Sequence, residues 1–384
     1  MPLSQIGTNS ITNYAIGATD LANNSIETYT SNAGRPLTNR NLIINGAMQV
    51  AQRNTSVTGI TTTGYYTADR WLVSLSSAGT WTMNVESSAP TGTEFRNSAN
   101  LVCATADSSL SAGDLLSFQQ RIEGQNLQGI KKGTANAESL TLSFYVKSSN
   151  TGTYICDFYD SDNTRQISKS YTIDVANTWE KKTITIPPDT TGQFDNDNAS
   201  SFIAHFWLAA GSNFTSGVLS SSAWESAVNA NRVVGQLNLA NRSGNYWAVT
   251  GIQMELGTVA TPYEWMDYGT ELALCQRYLP AWRGIYHGWC GQNNSTTGGQ
   301  VNIPFPVTAR TAPTGLFISS VSHLDVTIPN GSSVNCTAFT FNVASDQMAI
   351  ICNYGVASGL TAGHATNMRS GSSSFVLYFN GCEL

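Results

Sequence analysis

Aromatic side chains are crowded into one short segment of the sequence. Residues 278–289 read Tyr-Leu-Pro-Ala-Trp-Arg-Gly-Ile-Tyr-His-Gly-Trp. Aromatic rings with polar edges stack on flat, partly hydrated ligands such as sugar rings, and polar neighbours add hydrogen bonds. The candidate binding residues are Trp282, Arg283, Tyr286, His287 and Trp289. The alternative is that the rings pack inside a small core or across a subunit contact, where aromatics of this size are common.

The rest of the sequence offers little catalytic chemistry. It contains none of the patterns G-x-S-x-G, G-x-G-x-x-G, G-x-x-x-x-G-K and H-E-x-x-H. His205 lies in a strand-like run, where an imidazole is more often satisfied by neighbours or solvent than catalytic. We therefore expect no enzymatic activity and no cofactor. A hydrolase whose paired carboxylates meet only in the folded chain is the alternative.

The acidic run that begins at Asp160 starts like a calcium-binding loop. Thr164 and Arg165, however, stand where such a loop needs an oxygen ligand and a Gly. Hairpin turns explain the Asp clusters at 157–162 and 195–197 better, so we expect no metal site.

Composition narrows the class of protein. Of 384 residues only 11% are charged, against a norm of about 25%, and the formal net charge is −6. A negatively charged chain does not attract phosphates, so we expect no nucleic-acid partner. No segment reaches the ~18 apolar residues of a membrane span, and the first residues do not resemble a signal peptide, so we expect neither membrane insertion nor secretion.

The seven cysteines are spread along the chain without a C-x-x-C pair. An odd number argues against a complete disulfide framework. Cys156 and Cys352 lie within apolar alternation, where a reduced thiol behaves as a small buried hydrophobe. We expect reduced, structural cysteines and folding in a reducing cytosol; a disulfide or a reactive thiol is the alternative.

Short alternating runs separated by turn residues fill positions 41–266. The inward positions of the run 140–146 are Leu, Leu, Phe and Val, and those of the run 154–158 are Tyr, Cys and Phe. Such runs without helical segments between them predict a mainly β fold, here a jelly-roll-like antiparallel β-sandwich.

Residues 267–384 form a separate unit in this interpretation. One helical stretch is predicted from Gly269 to Tyr278. Short strands are predicted at 301–305, 315–319, 324–328, 337–343, 348–352 and 375–379. The expected architecture is a smaller C-terminal β-sandwich domain.

The first forty residues have a different pattern, because large aliphatic residues recur at every fifth position. Neither a helix nor a strand has this period. Such a segment cannot close a core alone, so we predict an extended trimerisation leader. Its contact positions are Ile6, Ile11, Ile16, Leu21 and Ile26. The alternative is a tail whose spacing is accidental.

Ordered sequence blocks cover most of the chain after residue 40. Residues 41–53 read Asn-Leu-Ile-Ile-Asn-Gly-Ala-Met-Gln-Val-Ala-Gln-Arg, and residues 66–71 read Tyr-Thr-Ala-Asp-Arg-Trp. Further blocks follow in order at 120–124, 141–147, 253–257, 275–278 and 303–314. Together they resemble tailed-bacteriophage fibre proteins, or receptor-binding proteins, with a carbohydrate-binding-module-like β-sandwich domain.

The resemblance implies a homotrimeric tail or head fibre of the virion, made in the host cytoplasm, that adsorbs to host surface polysaccharide. The leader would attach to virion tail or capsid proteins. The C-terminal domain, at the other end of the chain, would be the receptor-binding tip, although the first sandwich could hold the glycan site instead. A purely structural virion decoration protein and a glycan-depolymerising tailspike are the alternatives.

Overall fold

The computed structural model describes residues 39–328 and 331–384. Within them the chain forms two antiparallel β units, each with its own hydrophobic core. The mainly β fold class is therefore confirmed. The predicted leader lies outside the described residues, and so do its five contact positions, Ile6, Ile11, Ile16, Leu21 and Ile26.

The first unit consists of two facing sheets. Its strands are Ser56–Ile60 (β1), Gly64–Tyr65 (β2), Leu72–Ser76 (β3), Thr80–Glu86 (β4), Ser98–Thr105 (β5), Leu115–Glu123 (β6), Leu140–Ser148 (β7), Gly152–Asp160 (β8), Arg165–Ile173 (β9), Glu180–Ile186 (β10), Ser200–Ala210 (β11), Glu225–Ser226 (β12) and Tyr246–Leu256 (β13). A six-stranded sheet has the order β1-β4-β5-β13-β7-β10, and a seven-stranded sheet has the order β12-β9-β8-β11-β6-β3-β2.

Short helical turns connect these strands. They are the α-helix Ser212–Thr215 (α1) and the 3₁₀ turns Gly124–Asn126, Gln128–Ile130, Asn229–Asn231 and Leu239–Asn241. The length and apolarity of the helices within the described residues are insufficient for any of them to span a membrane.

Alternation of side chains along the strands places one face of each sheet in the core. Phe144 on β7 and Phe206 on β11 come from opposite sheets, and their ring centroids are 5.1 Å apart in an edge-to-face contact. Trp71 and Phe118 stack at 4.7 Å in the same core. The predicted inward positions of the runs 140–146 and 154–158 are all buried, which confirms both strand predictions.

The second unit begins with the helix Tyr268–Gln276 (α2), close to its predicted position. The Asp267 side chain caps this helix by accepting from the Thr270 N–H at 3.0 Å. The strands that follow are Ala281–Arg283 (β14), Gly288–Asn293 (β15), Gly298–Pro304 (β16), Gly315–Ile318 (β17), Leu324–Thr327 (β18), Ser333–Ala344 (β19), Met348–Val356 (β20), Ala365–Ser370 (β21) and Val376–Asn380 (β22), and the 3₁₀ turn Val321–His323 precedes β18.

These strands are arranged as a closed barrel, β15-β16-β20-β19-β18-β21, and a three-stranded sheet, β14-β22-β17. The unit is thus antiparallel β, as predicted. It consists of a barrel and a three-stranded sheet, however, and not of the two open sheets of the expected sandwich. Strand β21 closes the barrel by pairing with both β15 and β18. Its sequence, Ala-Thr-Asn-Met-Arg-Ser, has too little apolar alternation to predict a strand.

Candidate functional site

The aromatic segment near β14 and β15 belongs largely to the second core. Trp289 is only 5% exposed and meets Trp282 edge-to-face, with ring centroids 5.9 Å apart. Trp282 is partly buried and makes a similar contact with Phe379. Trp289 therefore packs in the core, and the prediction that Trp289 is an exposed stacking platform was wrong. The physical reason is that a small barrel needs large rings to fill its interior.

The turn between these two tryptophans is exposed. Tyr286 is 81% exposed and has a positive φ of 70°. Ser370 holds this turn by accepting from the Tyr286 N–H and donating its hydroxyl to the Gly284 carbonyl, both at 2.9 Å. His287 contacts the Arg283 carbonyl at 2.8 Å, and Arg283 donates to the carbonyl of Ala51. The segment thus presents one accessible ring on a fixed turn.

The sequence blocks that carry the fibre resemblance meet in a buried polar network. The Asn45 amide donates to the carbonyls of Val50 and Asp69 at 2.8 and 3.0 Å. The Gln52 amide donates to the Asp69 carboxylate at 2.6 Å and to the Leu279 carbonyl at 3.2 Å. Burial raises the pKa of Asp69 to about 6, although its contact with Gln52 opposes this shift. These residues join the first unit to the segment after α2.

The same network reaches the C-terminus. Arg70, which is 1% exposed, lies over the Tyr278 ring at 3.4 Å and pairs with Glu383 at 2.8 Å. Arg277 forms a two-pronged ion pair with the buried Glu123, at 2.9 and 2.8 Å. The blocks therefore supply structural contacts between the two units, because Gln52, Arg70 and Arg277 each pair across the junction.

His205 and Asp160, whose residue types could support catalysis and calcium binding, also have structural partners. The His205 ring lies 3.3 Å from the Arg232 guanidinium, and burial together with this cation holds the pKa of His205 well below its usual range. Asp160 accepts from the backbone N–H groups of Asp162 and Asn163 at 3.0 Å, which confirms the turn interpretation. Among the residues that the structure describes, no group of three or more His, Cys, Asp or Glu side chains could hold a metal ion.

A polar and aromatic surface lies on the outer face of the six-stranded sheet. Strand register aligns Asn84 with Asn100, Asn100 with Ala248, and Ala248 with Lys147. Residues that are aligned in this way point to the same side of a sheet. Trp179 lies just before β10 and continues this row beyond Lys147.

Two rings flank the Lys147 ammonium. Its Nζ lies 5.0 Å from the centre of the Trp179 ring and 5.8 Å from the centre of the Tyr246 ring. All three side chains are half-buried, so each keeps an accessible edge. The Tyr246 hydroxyl donates to the Asn177 amide oxygen at 2.8 Å, which fixes the ring against the loop between β9 and β10.

A groove of about 670 Å³ is formed by the residues that directly precede Tyr246 and by two neighbouring loops. We call it the Tyr246 groove; it is lined by residues 149–151, Ala176 and residues 241–245. The Tyr246 N–H donates to the Ser149 hydroxyl at 3.0 Å, so strand β13 enters the sheet directly from the groove wall. Except for Ala176 and Gly244, the lining side chains are Ser, Asn, Thr and Arg.

Glu86 lies on the sheet side of this surface. Its carboxylate accepts from the Asn100 amide at 2.8 Å. Burial, followed by the Glu86 charge, raises the pKa of Tyr246. The surface thus combines flat rings, neutral donors and acceptors, one carboxylate and the cations Lys147 and Arg242.

Sequence reasoning missed this surface. Trp179, Tyr246 and Lys147 are far apart in the chain and belong to three different strands or loops. Lys147 and Tyr246 do occupy outward positions of predictable strands, but the pairing of β7 with β13 that brings them together is not visible in the alternation.

No protein-family model and no curated protein sequence matches this chain. Solved structures are similar to parts of it, with low TM-scores. The enzymatically active domain of tailspike protein 4 of bacteriophage CBA120 is 14% identical over 56% of this chain and 21% of that chain, with a TM-score of 0.29. This chain therefore matches about a fifth of the length of that structure.

Carbohydrate-binding modules are also among the similar structures. TmCBM61 in complex with beta-1,4-galactotriose is 11% identical over 56% of this chain and 99% of that chain, with a TM-score of 0.28. The family 11 carbohydrate-binding module from Clostridium thermocellum, in complex with a beta-1,3-1,4-mixed-linked tetrasaccharide, is 13% identical over 54% of this chain and 98% of that chain, with a TM-score of 0.28.

Proposed function

We propose that this protein is a bacteriophage fibre component that binds host surface glycan without cleaving it, and that the Tyr246 groove and its flanking rings form the binding site. The observation that carries the proposal is a polar groove whose wall is bonded to the Tyr246 backbone, while the Tyr246 and Trp179 rings flank Lys147 on the neighbouring sheet face. A glycan needs both kinds of contact, because sugar rings have apolar faces and hydroxyl-rich edges.

The dimensions of the groove fit this ligand class. Its volume of about 670 Å³ lies within the range of small-ligand sites, about 300 to 1,000 Å³. The lining amides and hydroxyls both donate and accept hydrogen bonds, as sugar hydroxyls do. Asn241 and Ser243 are exposed, so these groups are available to a ligand.

The sequence resemblance supports the fibre part of the proposal, and the five-residue spacing supports a homotrimer built through residues 1–40. Three copies would bring three shallow grooves to one particle, and multivalency converts weak contacts into strong adsorption. In this assembly the leader attaches to virion tail or capsid proteins, and the protein resides in the virion.

The decisive experiment compares single-ring variants on a glycan array and in adsorption to host cells. Trp179→Ala and Tyr246→Ala should each weaken binding by at least about tenfold, since each removes one face of the site. Tyr286→Ala is the matched control, because it removes an exposed ring from the C-terminal turn. All three variants should keep the melting temperature within a few degrees, since these rings lie outside the two cores.

Loss of adsorption in Tyr286→Ala, with normal adsorption in the other two variants, would move the receptor site to the C-terminal unit. If a bound glycan is shortened during prolonged incubation, the protein cleaves its ligand and is a depolymerase, which contradicts binding without cleavage. A light-scattering mass of one 41.1 kDa chain, rather than three, would contradict the trimer.

A further inference from the structure

Resting on the proposed function, we infer that the Tyr246 groove selects an acidic glycan, whose carboxylate is bound by Arg242. The groove is therefore a site for polysaccharides that carry sugar acids. Neutral polysaccharides of the same backbone are discriminated against, because they lack the group that Arg242 pairs with.

Arg242 is the charged side chain among the described residues that line the groove. It is exposed and lies in the run Asn241-Arg242-Ser243-Gly244 that forms one wall. A guanidinium binds a carboxylate through two parallel hydrogen bonds, a geometry that hydroxyls of neutral sugars do not reproduce. The wall thus offers a specific partner for one ligand group.

A second cation lies at the edge of the same site. Lys147 donates to the neutral Ser88 hydroxyl at 3.4 Å and lies between the Trp179 and Tyr246 rings. Lys182, on the neighbouring strand β10, is different, because it is neutralised by Asp174 at 3.2 Å and by Glu180 at 2.6 Å. Lys147 therefore adds positive potential at the site and Lys182 does not.

Glu86 does not line the groove, but its charge acts on the Tyr246 hydroxyl from the sheet side. Its carboxylate is held by the Asn100 amide at 2.8 Å and acts on the sheet side of Tyr246. A ligand carboxylate is repelled from that side and attracted to the Arg242 wall, whereas ligand hydroxyls can donate to Glu86. The two charged residues thus favour a ligand whose carboxylate lies at the Arg242 wall, away from Glu86.

The positive charge of Arg242 in the groove is opposite in sign to the net charge of the whole chain. With a formal net charge of −6, the protein as a whole repels polyanions, so attraction to an acidic glycan must come from this groove. Because the groove is open to solvent, salt screens the interaction. Acid selection should consequently be strong at low ionic strength and weak in concentrated salt.

The test uses an array on which each uronic-acid oligosaccharide is paired with its carboxyl-reduced counterpart. The full-length protein should bind the acidic member about tenfold more tightly, and Arg242→Gln should remove this preference while neutral members bind as before. Arg96→Gln is the matched control, since Arg96 is exposed on the first unit but does not line the groove. About 1 M NaCl should have the same effect as Arg242→Gln.

The outcomes separate this inference from the proposed function. If Trp179→Ala abolishes binding but each acidic and reduced pair binds equally, the groove is a glycan site and acid selection is refuted. If Arg96→Gln removes the preference and Arg242→Gln does not, the acid site lies elsewhere and the inference is again refuted. If no glycan depends on Trp179 or Tyr246, the proposed function itself fails.

Discussion

Glu383→Gln should destabilise the protein, because Glu383 connects the end of the chain to two arginines of the first unit. Its carboxylate contacts Arg70 at 2.8 Å and Arg53 at 3.1 Å. The side chain of Arg70 is 1% exposed and that of Glu383 is 11% exposed, so both charges are removed from water. The substitution keeps the shape of the side chain and removes its charge.

The expected loss is about 3 kcal/mol in the free energy of unfolding, since removing one partner of a buried ion pair costs roughly 3–5 kcal/mol. We take the lower end because Arg70 keeps two other partners. It donates to the Arg121 carbonyl at 2.6 Å and lies over the Tyr278 ring at 3.4 Å.

Urea unfolding followed by circular dichroism and tryptophan fluorescence measures this loss. Lys131→Gln is the control, because it removes an ion pair with Glu138 whose side chains are 54% and 30% exposed. Such exposed pairs contribute about 0 to 1 kcal/mol. If Glu383→Gln is too unstable to purify, the double variant Arg70→Met with Glu383→Leu removes both charges and should recover part of the stability.

A loss no larger than that of Lys131→Gln would refute the reasoning. It would mean that water or another group replaces the Glu383 carboxylate at no cost. A double variant less stable than Glu383→Gln would also contradict it, because the unpaired charge of Arg70 is then gone, whereas Arg53 loses its Glu383 partner equally in both variants.

Three further predictions concern stability and reactivity. Gly46→Ala should destabilise the first unit by several kcal/mol in urea titrations, because a Cβ there would lie 2.0 Å from the Ile252 carbonyl oxygen, which is backbone and cannot yield. Cys290 is the exposed one of seven free cysteines, so a thiol reagent should label one thiol in the native protein, and reductant should leave the melting temperature unchanged. Burial raises the pKa of Asp69 from 3.8 to about 6. The protonated Asp69 side chain therefore contributes fully to stability below pH 3.8, and this contribution of about 3 kcal/mol is lost as the pH rises through 6. In Asp69→Asn the free energy of unfolding should change less between pH 4 and 6.

Local alternation predicted the strands well, although both faces of the runs 140–146 and 154–158 are largely buried. The runs 140–146 and 154–158 and helix α2 appear close to their predicted positions. Cys156 and Cys352 are buried in the two cores, as their apolar neighbours indicated. These features depend on residues close in sequence, so alternation and capping are sufficient to predict them.

The same reasoning selected Trp289 as a binding residue and overlooked Trp179. Both residues follow polar or small neighbours in the sequence, yet one lies in the barrel core and the other flanks Lys147 on an accessible sheet face. Burial of a single tryptophan depends on which strands pair around it, and that information is not local.

Composition and alternation were enough to predict the mainly β class, the strands on either side of α2 and the burial of Cys156 and Cys352. Three features became visible only in the folded chain: the barrel closed by β21, the junction of Arg70 with Glu383, and the Tyr246 groove. The physical reason is sequence separation. Secondary structure follows from contacts between near neighbours. A binding surface on a sheet joins residues as far apart in the chain as Lys147 and Tyr246, and the register of their strands is set by packing of the whole core.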